Sequence, residues 1–272
     1  MSSHSEKTKV PGPKVVCVSH GGGPLPLPGD ASHKEMVESL QTLAQRIPKP
    51  EKIIVVSAHW EAQRISLTAG RAPGLLYDYS GFPQEAYQVQ YPVPGAPEFS
   101  AAVAARLNES GIATVLDPAH GFDHGLFVPL KIMFPQADIP CIQLSLSHHL
   151  QADFHIQLGE ALSWLDETTL ILGSGFTFHN LPAFFNPADK QALAQNMAFE
   201  EWLQQVCLDS NLSEEQRRQK LVQWQSAPYA RFSHPRAEHL LPLHVCYGAA
   251  QRPCREVLSF EVMGKRASHF IW

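Results

Sequence analysis

KVVCVSHGGG runs from Lys14 to Gly23, and KIIVVSAHWE runs from Lys52 to Glu61. Each is a short β-branched run that stops on a histidine, His20 in the first and His59 in the second. Such a run, bounded by Gly or Pro, reads as a strand buried on both faces of a parallel sheet. The loop between them, GGGPLPLPGD, holds four glycines and three prolines in ten residues, which argues against helix. His33 to Ile47 then carries Met36, Val37, Leu40, Leu43, Ala44 and Ile47 at helical spacing, and Pro48 ends it. A strand, helix, strand unit predicts two neighbouring parallel strands joined by a right-handed crossover. Open α/β sheets place ligands outside the carboxyl ends of their strands. Two histidines delivered to that edge are either half of a metal site or two hydrogen-bonded strand ends.

Further along, Arg64 to Ala69 reads as a strand. Gly70 to Pro97 is loop-like, with five prolines and the aromatics Tyr77, Tyr79, Phe82, Tyr87 and Tyr91. A structureless stretch this long is usually functional, and a rim over the site is the expected role. Helices are predicted over Glu98 to Asn108, Leu126 to Phe134 and Ala152 to Leu165, and strands over Ala113 to Leu116, Cys141 to Leu146 and Thr169 to Gly173. Asn186 and Pro187 are expected to open a helix reaching Leu208, followed by helices over Ser213 to Gln225 and Ala237 to Tyr247. Strands over Glu256 to Met263 and Ser268 to Trp272 close the chain. The whole predicts an α/β fold: a central, mostly parallel sheet flanked by helices, with a metal site at the carboxyl ends of the strands. Residues 1–272 are expected to form one domain behind a polar tail, residues 1–13.

Composition narrows the function. A net charge of -5 and a pI near 6.3 give no footprint for nucleic acid. No apolar run approaches the ~20 residues that span a bilayer, and the N-terminus lacks the apolar core of a secretory signal. The five cysteines form no CxxC pair, which fits a reducing, cytoplasmic setting. An oligomer is compatible with these features.

The 14 histidines carry the chemistry. Loops or element boundaries receive His20, His59, the pair His120 and His124, and His179; HPRAEH adds His234 and His239 with Glu238 between. Imidazole suits iron, zinc, copper and nickel, whereas magnesium and calcium prefer oxygen. The spacing is too dispersed for a zinc finger, and two or three histidines with an open position point to a catalytic site. His148 and His149 follow a strand without a fixed role, and His4, His33, His155, His244 and His269 read as surface or packing residues. Gly21 to Gly23 lacks both GK[ST] and GxGxxG spacing, so a close approach of backbone to ligand is the simpler role. The GSG at Gly173 does not fit a nucleophile elbow.

Six motifs in series carry a resemblance: SHGGGP at Ser19, SAHW at Ser57, GFPQEAYQVQYPVPG at Gly81, GFDHG at Gly121, GSGFTFHNL at Gly173 and PRAEHLLPL at Pro235. Together they make the chain resemble the class III extradiol ring-cleaving dioxygenases, most closely the 4,5-DOPA dioxygenase branch. The resemblance implies a mononuclear non-heme iron(II) site. His20, His59 and His239 would ligate the metal. His179 would stand beside it as acid/base, ligating when substrate is absent, and His124 would face substrate or oxygen. Glu238 is a rival third ligand, since related enzymes use two histidines and a carboxylate. Zinc is also accepted by such a donor set. The implied reaction opens a catechol such as DOPA with dioxygen, beside its hydroxyls. Two other readings are a zinc hydrolase, with Glu61 or Glu238 as base, and a non-catalytic relative whose pocket the Gly70 to Pro97 segment would block.

Overall fold

The structure, a computed structural model, describes residues 14–272; the polar tail expected over residues 1–13 lies outside them. Eight strands form one sheet in the order β4-β3-β5-β2-β6-β1-β8-β7. They are β1 (Val15–Ser19), β2 (Lys52–Ala62), β3 (Ile65–Thr68), β4 (Thr114–Asp117), β5 (Cys141–Ser147), β6 (Thr169–Gly175), β7 (Glu256–Val262) and β8 (Lys265–Ile271). The four central strands β5, β2, β6 and β1 are mutually parallel, while β3 and β8 run antiparallel to their central neighbours.

Alternating side chains of the central strands enter two separate cores. Val15, Cys17, Ile54 and Val56 pack on one face, and Val16, Val18, Ile53 and Val55 on the other. Each face is covered, so both parities of these strands must be apolar. That is why the runs carry no alternation. Helices α1 (Lys34–Arg46), α2 (Pro97–Glu109), α3 (His124–Met133) and α4 (Ala152–Glu160) follow β1, β3, β4 and β5. After β6 come α5 (Leu181–Phe184), α6 (Lys190–Leu208), α7 (Glu214–Val222), α8 (Ala230–Ser233) and α9 (Leu241–Ala250).

Four expectations need correction. β1 and β2 are parallel but not neighbours, because β6 pairs with both and lies between them. β2 does not stop at His59: it continues to Ala62 through a register shift between Val56 and Glu61, where it leaves one partnership and rejoins β5. This bulge presents His59 at the sheet edge. The helix predicted from Pro187 starts three residues later, because Asp189 accepts hydrogen bonds from the backbone of both Gln191 and Ala192, and Asn186 closes only a turn. Finally, His239 stands in a turn before α9 and not within a helix from Ala237; Pro242, in the first turn of α9, suits a helix start. Among the described residues no helix is long and apolar enough to cross a membrane.

Candidate metal centre

Three neighbouring strands end at one place. β1 delivers His20, the β2 bulge delivers His59, and β6 delivers Ser174 and Gly175. The loop after β6 brings His179, α3 begins with His124, and the turn before α9 brings Glu238 and His239. Gly175 permits the last approach: a Cβ there would stand 2.1 Å from the His239 carbonyl oxygen. That carbonyl accepts a hydrogen bond from Phe176 N at 2.9 Å, which pins the turn to β6.

The hydrogen bonds decide which imidazole nitrogens are bare. Ser174 Oγ donates to the Gly125 carbonyl at 2.5 Å, so toward His20 Nδ1, 3.0 Å away, its oxygen acts as acceptor. The proton of His20 therefore sits on Nδ1, leaving a lone pair on Nε2. Asp78 Oδ2 lies 3.5 Å from His59 Nδ1, and a carboxylate favours a proton there too. His59 Nε2 and His20 Nε2 then face each other at 3.0 Å. Two lone pairs at that separation call for a cation. The donor set fits a first-row transition ion with adjacent ligands and further open positions.

Two carboxylates support the remaining imidazoles. Asp78 Oδ1 accepts from both the backbone N–H of His124 (3.0 Å) and its Nδ1 (2.8 Å). Glu238 Oε1 accepts from His239 Nδ1 at 2.9 Å and lies 3.4 Å from His179 Nδ1, while Arg236 sits 3.3 Å from its other oxygen. His179 and His239 stack with ring centroids 3.4 Å apart. The ligand-capable atoms form two close sets, His20 with His59 and His124, and His179 with Glu238 and His239, each spanning no more than 4.8 Å. The expected trio of His20, His59 and His239 draws from both, with the His239 ring centroid 5.5 Å and 4.9 Å from the other two.

Burial keeps the ring nitrogens unprotonated. Desolvation first, and then the neighbouring histidines, hold His20 and His239 well below the usual histidine range. His59 is pulled down to about 3 for the same reasons. Burial alone would raise Glu238 and Asp78, but hydrogen bonds from His179 and His124 respectively hold both below the ordinary carboxylate value. Asp123 is the exception: burial pushes it up to about 6. It caps α3, accepts from Ser57 Oγ at 2.8 Å and is gripped by Gln143.

Other sequence candidates fall elsewhere. His120 stacks on Trp60 with centroids 3.7 Å apart, His234 hydrogen-bonds the Thr177 carbonyl, and His148 and His149 are exposed. His33 accepts from Gly22 N, bracing the glycine loop. The other packing candidates, His155, His244 and His269, are buried, and His4 lies outside the described residues. Glu61 is clamped by the guanidinium of Arg236, so it is not free to act as a base. Asp78 and Ser174 were not singled out by sequence reasoning. Asp78 belongs to the long aromatic loop, whose length flagged the segment without flagging the residue. That loop does form a rim: Tyr79, Ser80 and Phe82 line an open cavity of about 370 Å³ over the histidines, so the segment does not block it.

The family described as the catalytic LigB subunit of aromatic ring-opening dioxygenase matches residues 14–270. The chain is 37% identical to a 4,5-DOPA dioxygenase extradiol of Beta vulgaris, over 86% of this chain and 85% of that protein. It is 38% identical to the dioxygenase tasH of Hapsidospora irregularis, over 87% and 78% of the two chains. The crystal structure of an uncharacterized Escherichia coli K12 protein superposes with a TM-score of 0.74 at 27% identity, covering 94% of this chain and 98% of that one. The chain belongs to the LigB family of aromatic ring-opening dioxygenases and is a metal-dependent, ring-cleaving oxidoreductase.

Proposed function

We propose that this enzyme is an iron(II) extradiol dioxygenase that opens the ring of a single-ring catechol beside its hydroxyls, with DOPA as the reference substrate. The observation that carries the reading is the Nε2 atoms of His20 and His59 facing each other 3.0 Å apart beneath an open cavity. His239 is the third ligand. Its Nδ1 is spent on Glu238, which leaves Nε2 for the metal, in the carboxylate–histidine–metal pattern. Glu238 is a poorer ligand, because it already serves His239, His179 and Arg236. When bound, iron(II) supplies positions for both catechol oxygens and dioxygen and lowers the proton affinity of the catechol.

The protein's own groups do the rest. Glu238 favours a proton on Nδ1 of His179, so Nε2 accepts the catechol proton and returns it during ring opening, a contribution of roughly 10²–10⁴ in rate. Asp78 sets His124 in the same way, presenting its Nε2 to substrate or oxygen. The apolar rim excludes water from the ring. Five buried, unpaired cysteines support a cytoplasmic location. The test is anaerobic reconstitution with Fe(II), then addition of catechols and air. A yellow ring-opened product is expected, and none from any catechol at full iron occupancy would overturn the proposal.

A further inference from the structure

Apart from its histidines, the glycine loop and two hydroxyl side chains, the cavity is walled by carbon. Leu25, Phe82, Phe176, Phe184, Phe185 and Met263 face it, and among the described residues no lysine or arginine lines it. Of its two hydroxyl side chains, Tyr79 is committed to the Ala86 carbonyl at 2.5 Å, which leaves Ser80. The nearest fixed charges are the carboxylates of Asp78 and Glu238, behind the imidazoles. Arg236 is more than half exposed and is held by Glu61 and Glu238. No lysine or arginine stands in the wall to neutralise a carboxylate, and burying one without a charged partner is costly.

The apolar surface also extends outward from the histidines. Phe185, 84% exposed, and Leu181, 53% exposed, stand bare at the mouth. Leu25 and Phe82 form a wall shared with a second cavity of about 490 Å³, lined by Pro24, Leu27, Pro83, Ala86 and Val89. The cation of that cavity, Lys131, donates to the Gln90 carbonyl at 2.8 Å. A substituent leaving the ring over Leu25 and Phe82 therefore meets mostly carbon, with Glu85 and Lys131 as the charged residues of the second cavity.

We infer that the enzyme selects catechols with an uncharged, apolar ring substituent over those with an amino-acid or acid side chain; this rests on the catechol reading above. Each methylene the substituent buries is worth about four-fold in kcat/KM. The Fe(II) enzyme is assayed with 4-methylcatechol, 4-propylcatechol, dopamine, DOPA and 3,4-dihydroxyphenylacetate. The expected result is 4-propylcatechol above 4-methylcatechol by about 15-fold, and above each charged catechol by about tenfold or more. Dissociation constants for the zinc-loaded protein, which binds without redox turnover, are expected to follow the same order. If DOPA is bound and cleaved as well as 4-propylcatechol, the inference is overturned and the catechol reading stands. If no catechol is opened, both fall. The exposed position of Phe185 makes Phe185→Arg safe for folding, and it is expected to raise the preference for 3,4-dihydroxyphenylacetate relative to 4-propylcatechol. An unchanged ratio would overturn the mouth as the path of the substituent.

Discussion

Replacing Asp78 by asparagine changes one atom and tests the logic of the whole site. In the native protein Asp78 Oδ1 receives two donors from His124, at 2.8 Å and 3.0 Å, and Oδ2 faces His59 Nδ1 at 3.5 Å. The side chain is 24% exposed, so water screens these contacts only in part. The amide that replaces the carboxylate could keep its carbonyl toward His124, but its NH₂ would then face the N–H of His59, donor against donor. His59 must rotate or move its proton to Nε2, and either change removes the lone pair that faces His20. Loss of such a supporting carboxylate costs about 10–100-fold in metal affinity or activity, or about 1.4–2.7 kcal/mol. We expect Asp78→Asn to lower kcat/KM by that factor and to weaken metal retention under dialysis against chelator, with little change in Tm. Wild-type metal retention with kcat/KM within about two-fold of native would refute the tautomer argument. A drop in Tm alone, with kcat/KM intact, would make Asp78 a mere loop anchor.

The remaining predictions separate the roles of the histidines and the sheet edge. His20→Ala, His59→Ala and His239→Ala should lose metal and activity together, whereas His179→Ala and His124→Ala should retain metal, measured by elemental analysis, and lose turnover. Gly175→Ala should displace the His239 carbonyl, which a Cβ would approach to 2.1 Å, and so lower metal content in a protein that remains folded by circular dichroism. Acid should unfold the metal-free protein early. Burial lowers His234 and His269 to about 3 and His155 to about 4. The unfolded chain takes up these protons below its own value near 6.5 while the native state refuses them, so stability is intact above that pH and falls as the pH drops toward 4. At pH 5.5 the cost is on the order of 1 kcal/mol for each histidine. Chemical denaturation at pH 7.0 and 5.5 should show it, and equal midpoints would refute the burial argument.

Much of this site was legible in sequence because parallel strands announce themselves. A strand buried on both faces is largely apolar, so the point where such a run turns polar marks the sheet edge, as Ser19 and His20 do after Val15 to Val18. His59 was legible for the same reason, although the bulge that aims it was not. Strand order was hidden, since no local pattern tells Val15 or Ile54 that Ile171 will pair with both of them. The carboxylates were hidden more deeply. An imidazole at a strand end can be a donor, an acceptor or a ligand, and the choice is made by whatever holds its other nitrogen. For His59 and His124 that partner is Asp78, one of two acids in a loop of tyrosines and prolines; for His239 it is its own neighbour, Glu238. A motif can therefore name the metal-facing residues, while only the folded chain assigns their protons. That assignment separates three roles among identical side chains: a ligand wants a bare Nε2 aimed at a shared point, an acid/base wants one aimed at the substrate, and a packing histidine such as His234 spends its nitrogen on a carbonyl.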